Sequence, residues 1–503
     1  MDPLIVLGSI AVFFVLCFFI AHQGRLRTAM TIDDYFIANR RIGGLVAAMT
    51  YSATTYSAFM MVGLVGLTAI HGVGALGFEL VYLMGLMLAV LFGLRFYVAG
   101  KKWNLVTPAQ LLAERYGSRV LGLAVALLYH VFLIPYMAAQ LIGAGKLLSG
   151  LTHGAIPFEV GAALVISIAF AYTLWGGMRA VAWTDVLQAT MMLATSLAVL
   201  FTAFQLAGGV GAVLEKLFQE PTRAVLSVPG PHGRFTIVNF ISMTVPWFFF
   251  CLSNPQVVQR FYVPKSVRSL KDMIRGFLIF GFTYTVIVTL LGLVARVVVV
   301  EPHLALGQTL DQDDVTPRLL TMVWGPVAIL ALLGILAASV STLDSIMLAL
   351  SSELAVNVVK VLKPSYEERL ALAISRALMA VIVVATIAFS LSGGVIVELA
   401  VTSSSWLLQL VPAFVAALVW KRASRASAYA SIIAGVGVTG ALTAIKKLQP
   451  SLASNLVLQV DPGIWGLLAA SMALVASSLL ARTDERGARF VEELEEALKG
   501  LSK

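Results

Sequence analysis

The chain has 503 residues, of which 59% are hydrophobic and 12% charged, with mean hydropathy +0.92 and a formal net charge of +9. Roughly a quarter of the residues in a soluble domain are charged, so a soluble fold is excluded, and the period-2 alternation of an outer-membrane barrel is absent. An all-α polytopic membrane protein fits, because backbone polar groups in lipid must be satisfied inside helices.

A bilayer crossing takes about 20 apolar residues. Such runs predict thirteen spans, at about 3–21, 43–70, 74–98, 119–150, 156–176, 181–208, 236–262, 270–300, 317–355, 367–392, 395–419, 424–445 and 463–481. The first run, PLIVLGSIAVFFVLCFFIA, has no basic residue before it, and Arg25 and Arg27 follow. A signal peptide has the opposite charge order, so this is a retained span with its N-terminus outside. The loops placed inside by that orientation carry 27 of the 35 Lys and Arg, Arg260 among them. The positive-inside rule therefore supports it, and an odd span count leaves the C-terminus in the cytoplasm. The same asymmetry accounts for the net charge of +9 without a nucleic-acid partner.

The result is a transmembrane domain over 1–481 and a short cytoplasmic tail over 482–503. In the tail, ERGARFVEELEEALKGL has the spacing of a short helix, either solvated or lying on the membrane surface. The largest soluble piece runs from Gly209 to Phe235, where VGAVLEKLFQE predicts an external helix. No GxxxxGK[ST] loop is present, which argues against ATP-driven transport. Cys17 and Cys251 both lie inside apolar runs, so there is no disulfide framework. The six histidines are scattered without an HExxH, and the chain does not read as an enzyme. His130, in LLYHVF, reads as polar glue between helices.

Three spans carry unusual oxygen. The second contains TYSATTYS, seven hydroxyls in eight positions at residues 50–57. One hydroxyl in a membrane helix serves a nearby carbonyl, but seven exceed that need. The seventh contains FFFCLSNPQVVQRF, where Pro255 removes a helical hydrogen bond. The ninth contains LAASVSTLDSIMLALSSE. Two interrupted helices about 200 residues apart are the mark of a midplane site between structural repeats. Acids inside a membrane are costly and functional, which singles out Asp344, Asp185 and Glu79, whereas Glu398 lies near an interface and faces water.

These stretches, together with TIDDYFIANRRIGG and YTLWGGMRAVAWTDVLQA, resemble the sodium:solute symporter family over nearly the whole chain. The resemblance implies a LeuT-type fold with extra flanking helices. Spans two to six, about 43–208, would recur inverted as spans seven to eleven within about 236–445. It further implies a co-transported sodium ion held by the carbonyls of Ala53, Tyr56 and Ala338 and the hydroxyls of Ser341 and Thr342. Ala338, Ser341 and Thr342 stand at i, i+3 and i+4, on one helix face, and a hard cation takes oxygen ligands. A second sodium site carried by some members matches Asp185, Ser341, Asp344 and Ser345, with Asp344 replacing a serine common in the family. Substrate contacts carried over or adjacent to the breaks are Thr55, Ser57, Phe59, Met60, Glu79, Asn254 and Gln256. Thr55 departs from the aspartate of sodium/proline symporters.

The expected activity is sodium-coupled import of a small organic solute, either an amino acid such as proline or a monocarboxylate or pantothenate-like compound. Proton coupling through Asp344 and Asp185 is the alternative within transport. A membrane sensor or channel is the alternative outside it.

Overall fold

The computed structural model describes residues 1–452, 455–481 and 484–501. Among them there is no β-strand, only one isolated parallel bridge between Ile42 and Pro264. Among the described residues ten helical segments are long and apolar enough to cross a membrane, one of them, Phe158–Leu206, folded back on itself, and two bent pairs meet the same test as broken helices. In chain order the crossings are α1 (Pro3–Leu26), α2 (Gly44–Thr55 with Phe59–His71), α3 (Gly74–Lys102) and α4 (Arg119–Leu151). A long stretch, Phe158–Leu206, supplies α5 (158–176) and α6 (178–206). There follow α7 (Ile237–Ser253 with Pro255–Tyr262), α8 (Val267–Ala305), α9 (Gly325–Leu362), α10 (Glu368–Ser390), α11 (Ile396–Val419), α12 (Arg425–Leu448) and α13 (Pro462–Leu480).

Phe158–Leu206 is 49 residues long. A straight helix of that length would run about 74 Å, more than twice the roughly 30 Å hydrocarbon core. It turns back at Gly177, whose torsions are φ 65° and ψ −165°. The two arms lie side by side, since Gln188 donates to the Tyr172 hydroxyl at 3.2 Å although 16 residues separate them. Glycine is required at the turn, because a Cβ there would meet the Tyr35 carbonyl oxygen at 2.7 Å. Counting α5 and α6 separately makes thirteen crossings, as the apolar runs predict.

The two broken helices have matching breaks. In α2 the helix stops at Thr55 and Tyr56 is extended, with φ −91° and ψ 121°. In α7 it stops at Ser253 and Asn254 takes φ −91° and ψ 120°. The halves bend by 54° and 43° respectively. In α7 the cause is Pro255, which has no N–H to continue the ladder. Between these breaks runs α9, buried at every residue from Gly334 to Glu353.

Three expectations need correction. The ninth span does not begin at 317: Val315–Met322 is a separate short helix, and the crossing starts at Gly325, after an extended Val323 and Trp324. The tail helix, Glu485–Gly500, is not free in solvent. It docks on the protein, burying Phe490, Val491 and Leu494, with Phe490 stacked on Trp103 at 3.8 Å and Arg486 paired with Glu114 at 2.8 Å. Its apolar stripe finds a protein partner. Tail residues 482, 483, 502 and 503 lie outside the described residues. Finally, Arg260 is not a loop charge but is fully buried at the C-terminal end of α7. The expected helix is present at Val210–Phe218, and Glu398 is exposed as expected, where it also pairs with Arg234 at 3.1 Å. His130 bonds the Leu350 carbonyl of α9 at 3.1 Å, as a helix-to-helix link should.

Candidate functional site

The break in α2 leaves the last carbonyls of its first half without partners in their own helix. Tyr56 N closes the ladder on Ser52 O at 2.8 Å. The Ala53 oxygen is instead met from α9. Ser341 donates to it at 2.9 Å and Thr342 at 3.5 Å, and Ser341 also reaches the Ala338 carbonyl at 3.0 Å. Four of the five oxygens assigned to the first sodium thus converge between α2 and α9, every one in a buried residue. The fifth residue, Tyr56, holds the extended turn itself. Its ring stacks on Phe277 of α8 at 5.5 Å, which anchors the break to the neighbouring helix. Two carbonyls and two hydroxyls in a buried site form the donor set a hard monovalent cation takes.

One turn further along α9 the residues assigned to a second sodium divide into two groups. Asp344 faces α5, where the Tyr172 hydroxyl and the Thr173 hydroxyl, the latter at 2.6 Å, both donate to its carboxylate. Asp185 on α6 accepts from Thr50 at 2.5 Å and lies 3.9 Å from the Arg260 guanidinium. Arg260 also donates to Thr50 at 3.2 Å and to Ser345 at 2.7 Å, and Ser345 meets Thr54 at 2.7 Å. One guanidinium therefore ties α2, α6, α7 and α9 together. Sequence reasoning missed it because Arg260 was counted with the basic loop that follows. The signal was available: in PQVVQRFYV the arginine stands inside an apolar run, where a charge needs a partner.

The proposed solute contacts surround the same breaks. Thr55 Oγ1, Asn254 Oδ1 and both amide atoms of Gln256 are buried with no hydrogen-bond partner in the protein. Ser57 Oγ is engaged locally, accepting from Phe59 N at 3.2 Å, and Met60 is buried without a polar role. Phe59 and Glu79 meet around Trp247 of α7, a residue the sequence reading did not single out. The Phe59 and Trp247 rings are 5.2 Å apart, and Trp247 Nε1 donates to Glu79 Oε1 at 3.3 Å.

A model of the family described as "Sodium:solute symporter family" matches residues 35–435. The sodium/pantothenate symporter of Escherichia coli (strain K12) is 31% identical over 226 residues, covering 44% of this chain and 45% of that protein. The sodium/pantothenate symporter of Haemophilus influenzae is 27% identical, over 64% and 65% of the two chains. These matches span about half to two thirds of the pantothenate symporters. The osmoregulated proline transporter OpuE of Bacillus subtilis (strain 168) is 24% identical over 98% of each chain. Among solved structures, a Na+-coupled sialic acid symporter in a substrate-bound outward-open state superposes with TM-score 0.79 at 18% identity, covering 95% of this chain and 98% of that one. Mhp1, a nucleobase-cation-symport-1 family transporter in a closed conformation, gives TM-score 0.58 at 14% identity over 91% and 98%. The all-α architecture with its two broken helices is accordingly the LeuT-type fold of a transporter rather than an enzyme. With its family match running from the short helix Ile32–Ile37, before α2, into α12, the chain belongs to the sodium:solute symporter family.

Proposed function

We propose that the protein imports a small organic solute by sodium-coupled symport, the solute being an amino acid such as proline or a monocarboxylate or pantothenate-like compound. The observation that carries this reading is the pairing of Ser341 and Thr342 with the carbonyl freed at Ala53. Sodium held there by Ala53, Tyr56, Ala338, Ser341 and Thr342 replaces weak hydroxyl bonds with ion–oxygen contacts. It fastens α9 to the broken α2 and favours an outward-open state. Solute then binds between α2 and α7, and loss of sodium to the cytoplasm weakens its hold. Because coupling is reciprocal, sodium and solute strengthen each other's binding by the same factor.

A second sodium at Asp185, Ser341, Asp344 and Ser345 is the finer part of the reading. Arg260 already supplies positive charge to Asp185 and holds Ser345, so a second ion requires the guanidinium to withdraw. The working boundaries are a transmembrane domain over 1–481, with inverted repeats at about 43–208 and 236–445, and a tail from 482. The proposed orientation in the cell membrane is N-terminus outside and C-terminus inside, and a C-terminal reporter cleaved by external protease in intact cells would refute it.

The decisive measurement is uptake of labelled amino acids, monocarboxylates and pantothenate into proteoliposomes with and without a sodium gradient. Saturable, sodium-driven accumulation is expected. Accumulation driven by a pH gradient without sodium would assign coupling to protons through Asp344 and Asp185. Flux without saturation would assign a channel.

A further inference from the structure

Glu79 is 1% exposed and accepts one hydrogen bond, from Trp247. Its second oxygen, Oε2, is buried without a partner. No Lys, Arg or His among the described residues pairs with it. An ionised carboxylate in that setting is costly unless a positive charge meets it. The surroundings are aromatic. Around Trp247 stand Phe59 at 5.2 Å, Phe78 at 5.8 Å, Tyr82 at 5.7 Å, Tyr136 at 6.4 Å and Phe250 at 5.1 Å between ring centroids. They come from α2, α3, α4 and α7, so both broken helices contribute. The hydroxyl of Tyr82 is also buried without a partner.

An aromatic cluster that meets one carboxylate through the Trp247 indole has a specific chemistry. Ring faces attract a cation through their quadrupoles, most strongly when it is stripped of water. The carboxylate adds a full counter-charge. An anionic solute in the same place would face Glu79 with a like charge and nothing nearby to offset it. Resting on the symport reading above, we infer that the transported solute carries a positively charged nitrogen, an ammonium or quaternary ammonium group, which seats in the cluster of Trp247 and its neighbours against Glu79. Amino acids and betaine-like compounds then fit, whereas simple monocarboxylates and pantothenate do not. Glu79 sets that choice and Trp247 both orients its carboxylate and presents a ring face.

The test uses the full chain in proteoliposomes and in detergent. Proline, glycine betaine and choline are the nitrogen-cation probes; pyruvate and pantothenate are the anions. At least one nitrogen cation is expected to show sodium-dependent uptake and to quench tryptophan fluorescence on binding, while the anions neither enter nor compete. Glu79→Gln should weaken that binding by at least about thirtyfold, as removal of one partner of a buried charge pair does. Trp247→Ala should weaken it about tenfold, with Trp247→Phe milder because a ring face remains. All three variants should keep the thermal stabilisation that sodium alone gives, which shows that they fold and bind the ion. Sodium-driven uptake of pyruvate or pantothenate, or failure of every nitrogen cation to bind, overturns the inference while leaving symport intact. Loss of the sodium response in the parent protein, with no sodium-dependent uptake of any probe, overturns the symport reading instead.

Discussion

The guanidinium of Arg260 lies 3.9 Å from the carboxylate of Asp185, and neither side chain has any solvent exposure. Thr50 bridges them, giving its proton to Asp185 at 2.5 Å and accepting from Arg260 at 3.2 Å. Opposite charges buried together remove most of the cost that either would carry alone, and removal of one partner exposes that cost in full. The pair also spans elements of both proposed repeats, since Asp185 is on α6 and Arg260 on α7.

Asp185→Asn is therefore expected to destabilise the protein by about 3 kcal/mol, read as a lower midpoint of thermal unfolding in detergent. The double variant Asp185→Asn with Arg260→Gln should recover part of the loss, because no uncompensated charge remains. A single variant as stable as the parent would show that the pair is not electrostatically significant.

Thr342 tests the first sodium site. Thr342→Ala removes one oxygen from the face that meets Ala53 and should raise the sodium concentration for half-maximal uptake about tenfold. Thr342→Ser keeps the oxygen and should stay close to the parent. Full sodium dependence retained in both variants would place the ion elsewhere.

Asp344 tests the second ion. The hydroxyls of Tyr172 and Thr173 both donate to its carboxylate. Asp344→Asn is expected to lower the sodium Hill coefficient and the charge moved per solute, with expression intact. Asp344→Ser should be better tolerated than Asp344→Ala, since it retains an oxygen. If Asp344→Asn changes neither quantity but abolishes a pH dependence of uptake, the residue carries a proton.

Asp313 gives a pH test outside the spans. It sits in the 312–314 turn between α8 and α9 and accepts from Ile396 N, at the start of α11, at 2.9 Å. Burial raises its carboxyl from 3.8 to about 6, with the Ile396 amide and Lys146 opposing. The folded state thus holds the proton more tightly than the unfolded chain. That contribution to stability is fully present below 3.8 and is lost as pH rises through about 6. Asp313→Asn should flatten this part of the unfolding profile, and an unchanged slope would count against the assignment.

The membrane class, the number of crossings and the two broken helices were legible in the sequence, because each depends on local properties. Crossing length follows from runs of apolar residues. The α7 break follows from Pro255, which cannot donate an amide hydrogen, and the i, i+3, i+4 face of Ala338, Ser341 and Thr342 follows from helix geometry. The packing partners were not legible. Arg260 stands only five residues before Lys265 in the chain, and charge counting placed it in the cytoplasm. Only the assembly of α2, α6 and α9 around it turned a loop charge into a buried ion pair. Trp247 read as one more apolar residue until α3 brought Glu79 to its indole. The tail helix likewise showed its apolar stripe in sequence but not that Trp103 would cover it. A pattern along one chain segment states what a side chain needs; which distant segment meets that need is decided when the helices pack, because burial and charge pairing are properties of contacts between segments far apart in sequence.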